Sequence, residues 1–529
     1  MSTEAMIGGS ATLGAGAGVA AIAWSAASSP AVLCAATVVS LVVAAAAYVR
    51  ARPTYGARRH LPPGSLGLSA SLDAISEEDF YARAARRWGP VFKMSQFHRP
   101  VVCVADLELG LELIRTEAAS LEQLGQPWGA LIPGGYIEFM DGPRHEHYRD
   151  VLRRPLNASA ISASTDEWVA TIRQELSFLA GNPSADLDAS LVRMTSALLL
   201  RVFFGVVPDS PEGERLLSTF AEIDRCAWLG WRVPPQPEAD VAGASRVVRE
   251  LAETGHDRVS VLSELVRLSP GAVDDPTVVG NLVLMVQNGR LSLAALLRWL
   301  LKLGGDHPEW LRELRREHES GGDAVASQFV RETLRLWQSE YAYRRTRREC
   351  WIGEHRIPRG WLVRVCLREA HARADVFPDP AAFDPARFSA RRYSKHEYAP
   401  FSAGPHACLG AVLTNSVSRA FLHELAGGFD LRTVADGRPE HGNRLLVPLA
   451  AGRRVASRSH GQPTGTATTF PDNLKVTAAT ARAASARPGS NPPGALHRHR
   501  AAQAATQISI ARSASGMPPE GVTSQVSCM

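Results

Sequence analysis

The ten residues FSAGPHACLG, from Phe401 to Gly410, place one cysteine inside a segment whose residue types bend the backbone. Gly404 and Pro405 favour a tight turn, and Gly410 allows another group to approach the backbone closely. A helical pattern follows, so the thiol of Cys408 is predicted to lie just before a helix. Unpaired N–H groups and the helix dipole favour a thiolate at that place. Cys408 is therefore a candidate metal ligand or nucleophile.

Two other interpretations compete with a metal ligand. A nucleophile needs a base, and His406 lies only two residues away in the same turn, which is a poor position for activating the thiol. An inert buried cysteine would account for Cys408 alone. It would not account for Phe401, Gly404 and Gly410 around it.

The segment resembles the cysteine loop of the cytochrome P-450 family of haem-thiolate enzymes, Phe-x-x-Gly-x-(Arg or His)-x-Cys-x-Gly. Phe401, Gly404, His406, Cys408 and Gly410 occupy every fixed place of that pattern. The resemblance implies a mostly α-helical fold with a small β region, and haem b (iron protoporphyrin IX) as the cofactor. It also implies that Cys408 is the axial iron ligand, that Phe401 packs against the sulfur and that His406 reaches a haem propionate. A thiolate ligand donates electron density to the iron and favours O–O cleavage.

Two further motifs precede this loop in the order that the family has them. The sequence ETLR places Glu332 and Arg335 three residues apart on one face of a predicted helix. The sequence FPDPAAFDPARF resembles the family's meander, in which Arg387 would join them. Taken alone, ETLR is typical of a solvated ion pair, but the order of the motifs favours a buried network that supports the cysteine loop. Removing one member of such a network would strand a buried charge.

Three more cations are predicted by resemblance to bind the haem propionates. The stretch DGPRHEHYRDVLRRPL places His145 and Arg149 at i and i+4, although in isolation they would be interpreted as surface charges. Arg344, in YAYRRTRRE, occupies the place of the family's third propionate partner, and Arg345 beside it leaves the register open. The likeness extends roughly from Leu61 to Ala451.

The stretch from Val278 to Leu303 is largely apolar and lacks proline, which predicts a long buried helix. In this family the helix usually carries (Ala or Gly)-Gly-x-(Asp or Glu)-Thr above the haem. The matching residues here are NGRLS, in which Gly289 keeps the small residue. Leu291 replaces the acid and cannot relay a proton. We expect Arg290 to point away from the site or towards solvent.

Asn288, Gly289 and Ser292 are the remaining candidates for oxygen chemistry, and Ser292 retains a hydroxyl at the threonine place. Either these residues, with water or a substrate group, supply protons to a monooxygenase, or the protein uses peroxide or rearranges an oxidised substrate. A haem-binding protein without turnover would carry the same motifs. Proton delivery by positioned groups contributes typically about 10²–10⁴-fold to a rate. Loss of the acid alone does not remove oxygen binding, so we expect a monooxygenase that oxidises a lipophilic small molecule.

The resemblance places the substrate pocket along Gln126 to Tyr136, near Gly289 and Leu291 of the central helix, and near Tyr341. Composition gives no further indication of the substrate.

Electrons are expected from a separate donor of the ferredoxin or reductase type. The chain shows neither ferredoxin-like cysteine spacing nor a dinucleotide-binding fingerprint. An acidic donor would dock near Cys408, where Arg391, Arg392 and Lys395 gather. A solvated basic loop is an equally good interpretation of those three charges.

Residues 1–50 predict a membrane anchor. No charged residue occurs from Ala5 to Val49, and a helix over about 31–49 would be long enough to cross a bilayer. Basic residues follow from Arg50 onward, which places the haem-thiolate domain, residues 51–455, on the cytoplasmic side. The alternative is an alanine-rich disordered leader on a cytoplasmic protein.

Residues 456–529 have a composition typical of a disordered tail. Basic residues outnumber acidic ones there and account for the net charge of +5, while the rest of the chain is neutral. The charge therefore predicts no nucleic-acid-binding face. The seven cysteines are scattered, which indicates neither a disulfide framework nor a zinc site and fits a reducing compartment.

Overall fold

The computed structural model describes residues 37–43, 60–67, 70–71, 73–74, 79–96, 99–124, 132–182, 185–228, 236–254, 258–338, 341–433, 439–441, 446–448, 453–457 and 475–478. Within this part of the chain the protein is mostly helical with a small β region, as predicted.

The helices follow one another through most of the described chain. They are α1 (Phe80–Trp88), α2 (Leu107–Thr116), α3 (Gly142–Arg153), α4 (Ala158–Ser162), α5 (Thr165–Gly181), α6 (Leu187–Phe204), α7 (Pro211–Trp228), α8 (Gln236–Thr254), α9 (Val261–Leu268), α10 (Pro276–Asp306), α11 (Pro308–Ser320), α12 (Ala324–Thr333), α13 (Leu367–His371), α14 (Arg387–Ala390) and α15 (Ala411–Gly428). A π-helical turn, Leu334–Gln338, continues α12, and a 3₁₀ turn, Gly404–His406, lies in the cysteine loop.

The strands lie mainly on either side of the helical part in sequence. They are β1 (Val91–Gln96), β2 (Arg99–Val104), β3 (Leu121–Gln123), β4 (Ala342–Thr346), β5 (Cys350–Ile352), β6 (His355–Ile357), β7 (Leu362–Val365), β8 (Phe429–Thr433), β9 (Pro439–His441), β10 (Leu446–Pro448), β11 (Arg453–Ser457) and β12 (Lys475–Ala478).

The long helix α10 confirms the prediction of a buried helix from Val278 to Leu303. It starts where the Asp275 carboxylate accepts the Thr277 N–H at 2.7 Å, with Pro276 in the first turn. An oxygen-bearing N-cap followed by proline is a favourable way to begin a helix. Because apolar residues occupy most of its circumference, α10 is enclosed by other helices, and α6 packs along it.

The larger sheet has the strand order β1-β2-β7-β4-β3. Strands β1 and β2 form an antiparallel hairpin, with Val91 opposite Val104. Strand β7 joins β2 in parallel and β4 in antiparallel orientation. This arrangement brings segments from both ends of the domain together, so that β4 and β3 present their side chains beside α3.

The main hydrophobic core surrounds α10. The largest side chains that are less than 2% exposed in the described residues include Trp168, Trp299, Phe203, Phe204, Phe329 and Phe421. Complete burial of such a side chain contributes about 1.5–3 kcal/mol. The core therefore holds α10 rigidly, including its half-buried residues near Gly289.

The predicted terminal segments fall mostly outside the described residues. Residues 37–43 of the predicted anchor are helical, and Leu41 is 64% exposed. In the described part of the chain, no helix combines the length and the apolar character needed to span a bilayer. Within residues 456–529, Lys475–Ala478 forms strand β12, which pairs in parallel with β11.

Candidate active site

Cys408 lies at the end of a turn that is closed by its own backbone. The Cys408 N–H donates to the Phe401 carbonyl at 2.9 Å, and a 3₁₀ turn spans the residues between them. Gly404 in that turn has φ = 75°, where a side chain is rarely tolerated, so the turn requires glycine. Gly410 has φ = −84°, so its backbone conformation does not itself require glycine. The half-buried Cys408 thiol is thus presented between a constrained turn and α15.

Arg149 of α3 binds the cysteine loop. Its Nη2 donates to the carbonyl of Ala407, the residue before Cys408, at 2.7 Å. Burial lowers the pKa of Arg149, and the nearby Cys408 sulfur opposes that shift. A guanidinium this close to the thiol favours the thiolate. The sequence predicted a propionate partner here, and the structure shows a contact with the loop itself.

His145 and His406 stack, with ring centroids 3.8 Å apart and an interplanar angle of 23°. Burial, followed by the charge of Arg149, lowers the pKa of His145 to about 4. Burial, followed by the charges of Arg344, His145 and Arg149, lowers the pKa of His406 to about 2. Both rings are neutral at pH 7 in this environment, and an added anion would raise both pKa values.

Arg344 points into the same region from β4. Its Nη1 donates to Gln123 Oε1 at 2.9 Å and to its neighbour's carbonyl, that of Tyr343, at 2.7 Å. Burial lowers the pKa of Arg344 to about 10, while Asp141 opposes the shift. Arg345 turns outward and pairs with Glu122, because successive side chains of a strand point to opposite faces. The register that the sequence left open is thereby determined.

Asp141 is the carboxylate beside these cations, although the sequence analysis did not select it. It precedes α3 without capping it: its Oδ2 accepts the Gln123 N–H at 3.0 Å and pairs with Arg347 at 3.1 Å. His406 Nε2 lies 4.0 Å from Oδ1. Since Asp141 is engaged by other groups, it only partly offsets the positive charge around His406.

Glu332, Arg335 and Arg387 come together behind the loop. Glu332 Oε1 accepts from Arg335 Nη2 at 2.8 Å, from Arg387 Nε at 3.0 Å and from the Asp384 N–H at 3.0 Å. Its Oε2 accepts from Arg335 Nε at 2.8 Å, and Arg335 Nη1 reaches the His371 carbonyl at 2.9 Å. Arg335 lies on the π-helical turn after α12, not on the helix itself.

Asn281 of α10 fixes the segment before α3. Its Oδ1 accepts the Ile137 N–H at 2.8 Å, and its Nδ2 donates to the Gly135 carbonyl at 3.1 Å. Tyr136 lies between those two residues, and its hydroxyl accepts from Asn288 Nδ2 at 3.1 Å. The predicted residue Asn288 is therefore hydrogen-bonded to Tyr136, at the end of the predicted pocket segment. Residues 125–131 of that segment lie outside the described residues.

The prediction that Arg290 points away or towards solvent is wrong about solvent, since the residue is only 4% exposed. It forms an ion pair with Asp224 of α7, and its Nε donates to Gln287 Oε1 at 3.2 Å. The Asp224 carboxylate and the Gln287 amide thus provide the buried guanidinium with hydrogen-bond partners. The Thr195 hydroxyl also donates to the Arg290 carbonyl at 2.8 Å.

Gly289, Leu291 and Ser292 are half-buried on α10. Ser292 lies one turn after Asn288 and therefore shares its face, whereas Arg290 projects from roughly the opposite side. Tyr341, the other predicted pocket residue, packs against Tyr343 with ring centroids 5.0 Å apart.

Comparisons with known proteins agree with this arrangement. The family model described as Cytochrome P-450 matches residues 324–449. A Mycobacterium bovis protein named cytochrome P-450 138 is 26% identical over 75% of this chain and 96% of its own length. Abscisic acid 8'-hydroxylase 3 from Oryza sativa subsp. indica is 25% identical over 77% of this chain and 89% of its own.

A solved structure shows the fold. The retinoic-acid-bound cyanobacterial CYP120A1 superposes with a TM-score of 0.63 at 19% sequence identity, covering 75% of this chain and 99% of that chain. Together these findings support the cytochrome P-450 family. They support an oxidoreductase of the P-450 monooxygenase type with haem b as its cofactor.

The residues of this site fit that cofactor. Haem b carries two propionate carboxylates, and the structure gathers His145, Arg149, Arg344 and His406 in a region that is short of opposing charge. Burial is the main cause of the low pKa values of the two histidines, and the neighbouring guanidinium charges add to it; two added carboxylates would oppose both shifts. Cys408, at the edge of the same region, supplies the sulfur ligand type that the family uses.

Sequence reasoning missed Gln123, Asp141, Asn281 and the partner of Arg290. Asp141 carried a visible signal, since it stands directly before a helix, but that position predicted a cap. The other contacts join residues more than 60 positions apart, and no local pattern encodes them.

Replacing Glu332 with alanine should strand Arg335 and Arg387 without their carboxylate. We expect a loss of about 3–5 kcal/mol of unfolding free energy, as for other broken buried ion pairs. Chemical denaturation of the variant measures the loss. Glu313→Ala is the matched control, because Glu313 and Arg316 form the same i,i+3 pair at 2.6 Å on an exposed face of α11. Equal effects of the two substitutions would show that burial of the network is unimportant.

Proposed function

We propose that this cytochrome P-450 oxidises a lipophilic small molecule with O2 and electrons from a separate redox partner. The observation that supports the proposal best is the half-buried Cys408 thiol. It is held in a closed turn beside Arg149 and close to a cluster of three buried or half-buried basic side chains, His145, Arg344 and His406. A structural cysteine would need neither the guanidinium nor the cluster.

In this proposal Cys408 would ligate the haem iron, and His145, His406 and Arg344 would hold the propionates. Phe401 packs against the ligand, and Arg149 keeps the loop in place through the Ala407 carbonyl. When bound, haem with a thiolate ligand activates oxygen for transfer to an organic substrate. Glu332, Arg335 and Arg387 act structurally, by joining the π-helical turn to the segment before the cysteine loop.

Proton delivery is assigned to the face of α10 that carries Asn288 and Ser292. Asn288 is oriented by the Tyr136 hydroxyl, and Ser292 can exchange a proton with water or with a substrate group. Leu291 contributes no proton, and Arg290 is committed to Asp224. Gly289 leaves room beside both polar side chains. A peroxide-driven or rearranging enzyme, or a haem protein without turnover, is the alternative that the missing acid favours.

The substrate is proposed to be lipophilic because the surroundings of α10 are largely apolar. One relative is named for abscisic acid and the solved structure for bound retinoic acid, so apolar carboxylic acids are the first compounds to test.

The electron donor is proposed to dock near the cysteine loop. Arg391, Arg392 and Lys395 are exposed there, and Arg391 is paired with Glu397. Val412, four residues after Cys408, is 64% exposed and adds an apolar contact point. Basic and apolar groups together suit an acidic protein such as a ferredoxin or reductase.

Membrane attachment through residues 1–50 is part of the proposal. The uncharged stretch and its basic flank support it, and the catalytic domain would then lie in the cytoplasm.

Cys408→Ala should abolish the thiolate-type absorption of the reduced protein with carbon monoxide and greatly reduce the haem content. Cys366→Ala, at a buried thiol on another element, should keep both properties. Haem content and the carbon monoxide spectrum measure these outcomes. A Cys408→Ala protein with the wild-type spectrum would exclude Cys408 as the ligand.

If Leu291 removes the proton relay, Leu291→Glu should raise the product formed per reductant consumed, by up to about a hundredfold. Ser292→Ala should lower it, while Ser196→Ala, which removes a buried hydroxyl from α6, should leave it unchanged. Activity with peroxide alone, insensitive to Leu291→Glu and Ser292→Ala, would favour the alternative enzyme instead.

Full-length protein should sediment with membranes and resist extraction by salt, because an apolar helix is not released by screening charge. A protein beginning at Tyr55 should remain in the supernatant and still bind haem. Fractionation of cells expressing either form tests this. Full-length protein in the supernatant after gentle lysis would refute the anchor and leave the proposed enzyme unaffected.

A further inference from the structure

His371 is a buried histidine that the assignments above do not use. It ends α13, its side chain is 0% exposed, and its ring lies against Tyr398 and Phe377 at centroid distances of 5.4 and 6.1 Å. Its carbonyl accepts from Arg335 Nη1 at 2.9 Å. The backbone of His371 is therefore fixed by the Glu332 network, while its ring is available for a second contact.

That second contact is with the start of the cysteine loop. His371 Nε2 accepts the Ala399 N–H at 3.1 Å, and the Ala399 carbonyl accepts the Ser402 N–H at 3.0 Å. From Phe401, the next bond reaches the Cys408 N–H. The imidazole thus holds the first residue of a short segment whose hydrogen bonds end at the Cys408 backbone N–H.

The backbone conformation at Ser402 makes this anchor necessary. Ser402 has φ = 59°, a left-handed conformation that a residue with a side chain adopts at an energetic cost. Such a conformation persists only where the surrounding contacts determine it. The bond from His371 to Ala399 secures the segment immediately before the strained residue.

The ring has one state that allows this contact. Because Nε2 accepts a hydrogen bond, the neutral ring carries its proton on Nδ1, and Nδ1 has no hydrogen-bond partner among the described residues. Burial, followed by the charge of Arg335, lowers the pKa of His371 to about 3, so the ring remains neutral at pH 7. A buried donor without a partner is unfavourable, which indicates that the acceptor nitrogen is what the fold requires of this ring.

We propose that His371 is a positioning residue for the thiolate ligand: by accepting the Ala399 N–H, it couples the Glu332–Arg335 pair to the cysteine loop and sets the position of the Cys408 sulfur. This inference rests on the proposed function, since it takes Cys408 as the haem ligand. In this proposal His371 acts through the loop alone.

Three substitutions separate the acceptor from the bulk of the ring. His371→Gln places an amide oxygen close to the position of Nε2, His371→Asn places it near Nδ1, and His371→Phe keeps the ring without an acceptor. His423→Phe is the control, because His423 is a half-buried histidine on α15 that faces Asp323. The measurements are haem content, the fraction of reduced carbon monoxide complex with the thiolate-type band, and the reduction potential of full-length holoprotein.

The reduced carbon monoxide complex can be divided into a form that lacks the thiolate-type band and a form that has it. In His371→Phe we expect the ratio of the first form to the second to rise about tenfold, as for one lost buried hydrogen bond. The reduction potential should shift with it. His371→Gln should restore both properties, His371→Asn should not, and His423→Phe should match the wild type.

A His371→Phe protein with the wild-type band ratio and potential would overturn the proposal, and so would a Gln variant as impaired as the Phe variant. If His371→Phe does not fold, the comparison of His371→Gln with His371→Asn decides. A wild type that lacks the thiolate-type band would instead contradict the proposed function.

Discussion

A single buried carboxylate supports the part of the fold on which the chemistry depends. Glu332 is 0% exposed and receives hydrogen bonds from Arg335, Arg387 and the backbone of Asp384. Charges in an interior are tolerated only where partners of this quality surround them. Because the partners come from the turn after α12 and from the segment 380–390, the carboxylate fixes those two segments to each other. The cysteine loop follows the second of these segments in the chain.

The site itself has the opposite character, since it gathers charge that the protein leaves only partly compensated. His145 and His406 are held neutral by burial and by the nearby guanidinium groups. Asp141, the carboxylate beside them, is engaged by Gln123 and Arg347. A dianionic cofactor completes such a region electrostatically, so cofactor binding and local stability are linked. The family's haem has that charge distribution.

The sequence predicted what local patterns encode. The cysteine loop, the ETLR pair and the apolar helix α10 each depend on residues close together in the chain, and the resemblance that these motifs carry implied the fold class. It could not predict the contacts of Arg149 with Ala407 or of Arg290 with Asp224, which join positions 258 and 66 residues apart. Arg290 was expected to point away from the site or towards solvent; its partner on α7 allows it to be buried instead.

Leu291 stands where the resemblance to the family places an acid. The fold retains the small residue Gly289 and the hydroxyl of Ser292, and it adds Asn288, oriented by Tyr136. In the proposed function these groups deliver protons together with water or a substrate group. The same helix would serve a peroxide-using enzyme. The monooxygenase, the peroxide-using or rearranging enzyme and the haem protein without turnover all require the same proposed ligand, the Cys408 thiolate.

The carbon monoxide difference spectrum of the reduced, full-length wild-type protein tests that ligand most directly. The account predicts that the thiolate-type band dominates, because Arg149 and the closed turn hold Cys408 as a thiolate. A folded, haem-loaded protein that shows only the band of a neutral axial ligand would contradict it.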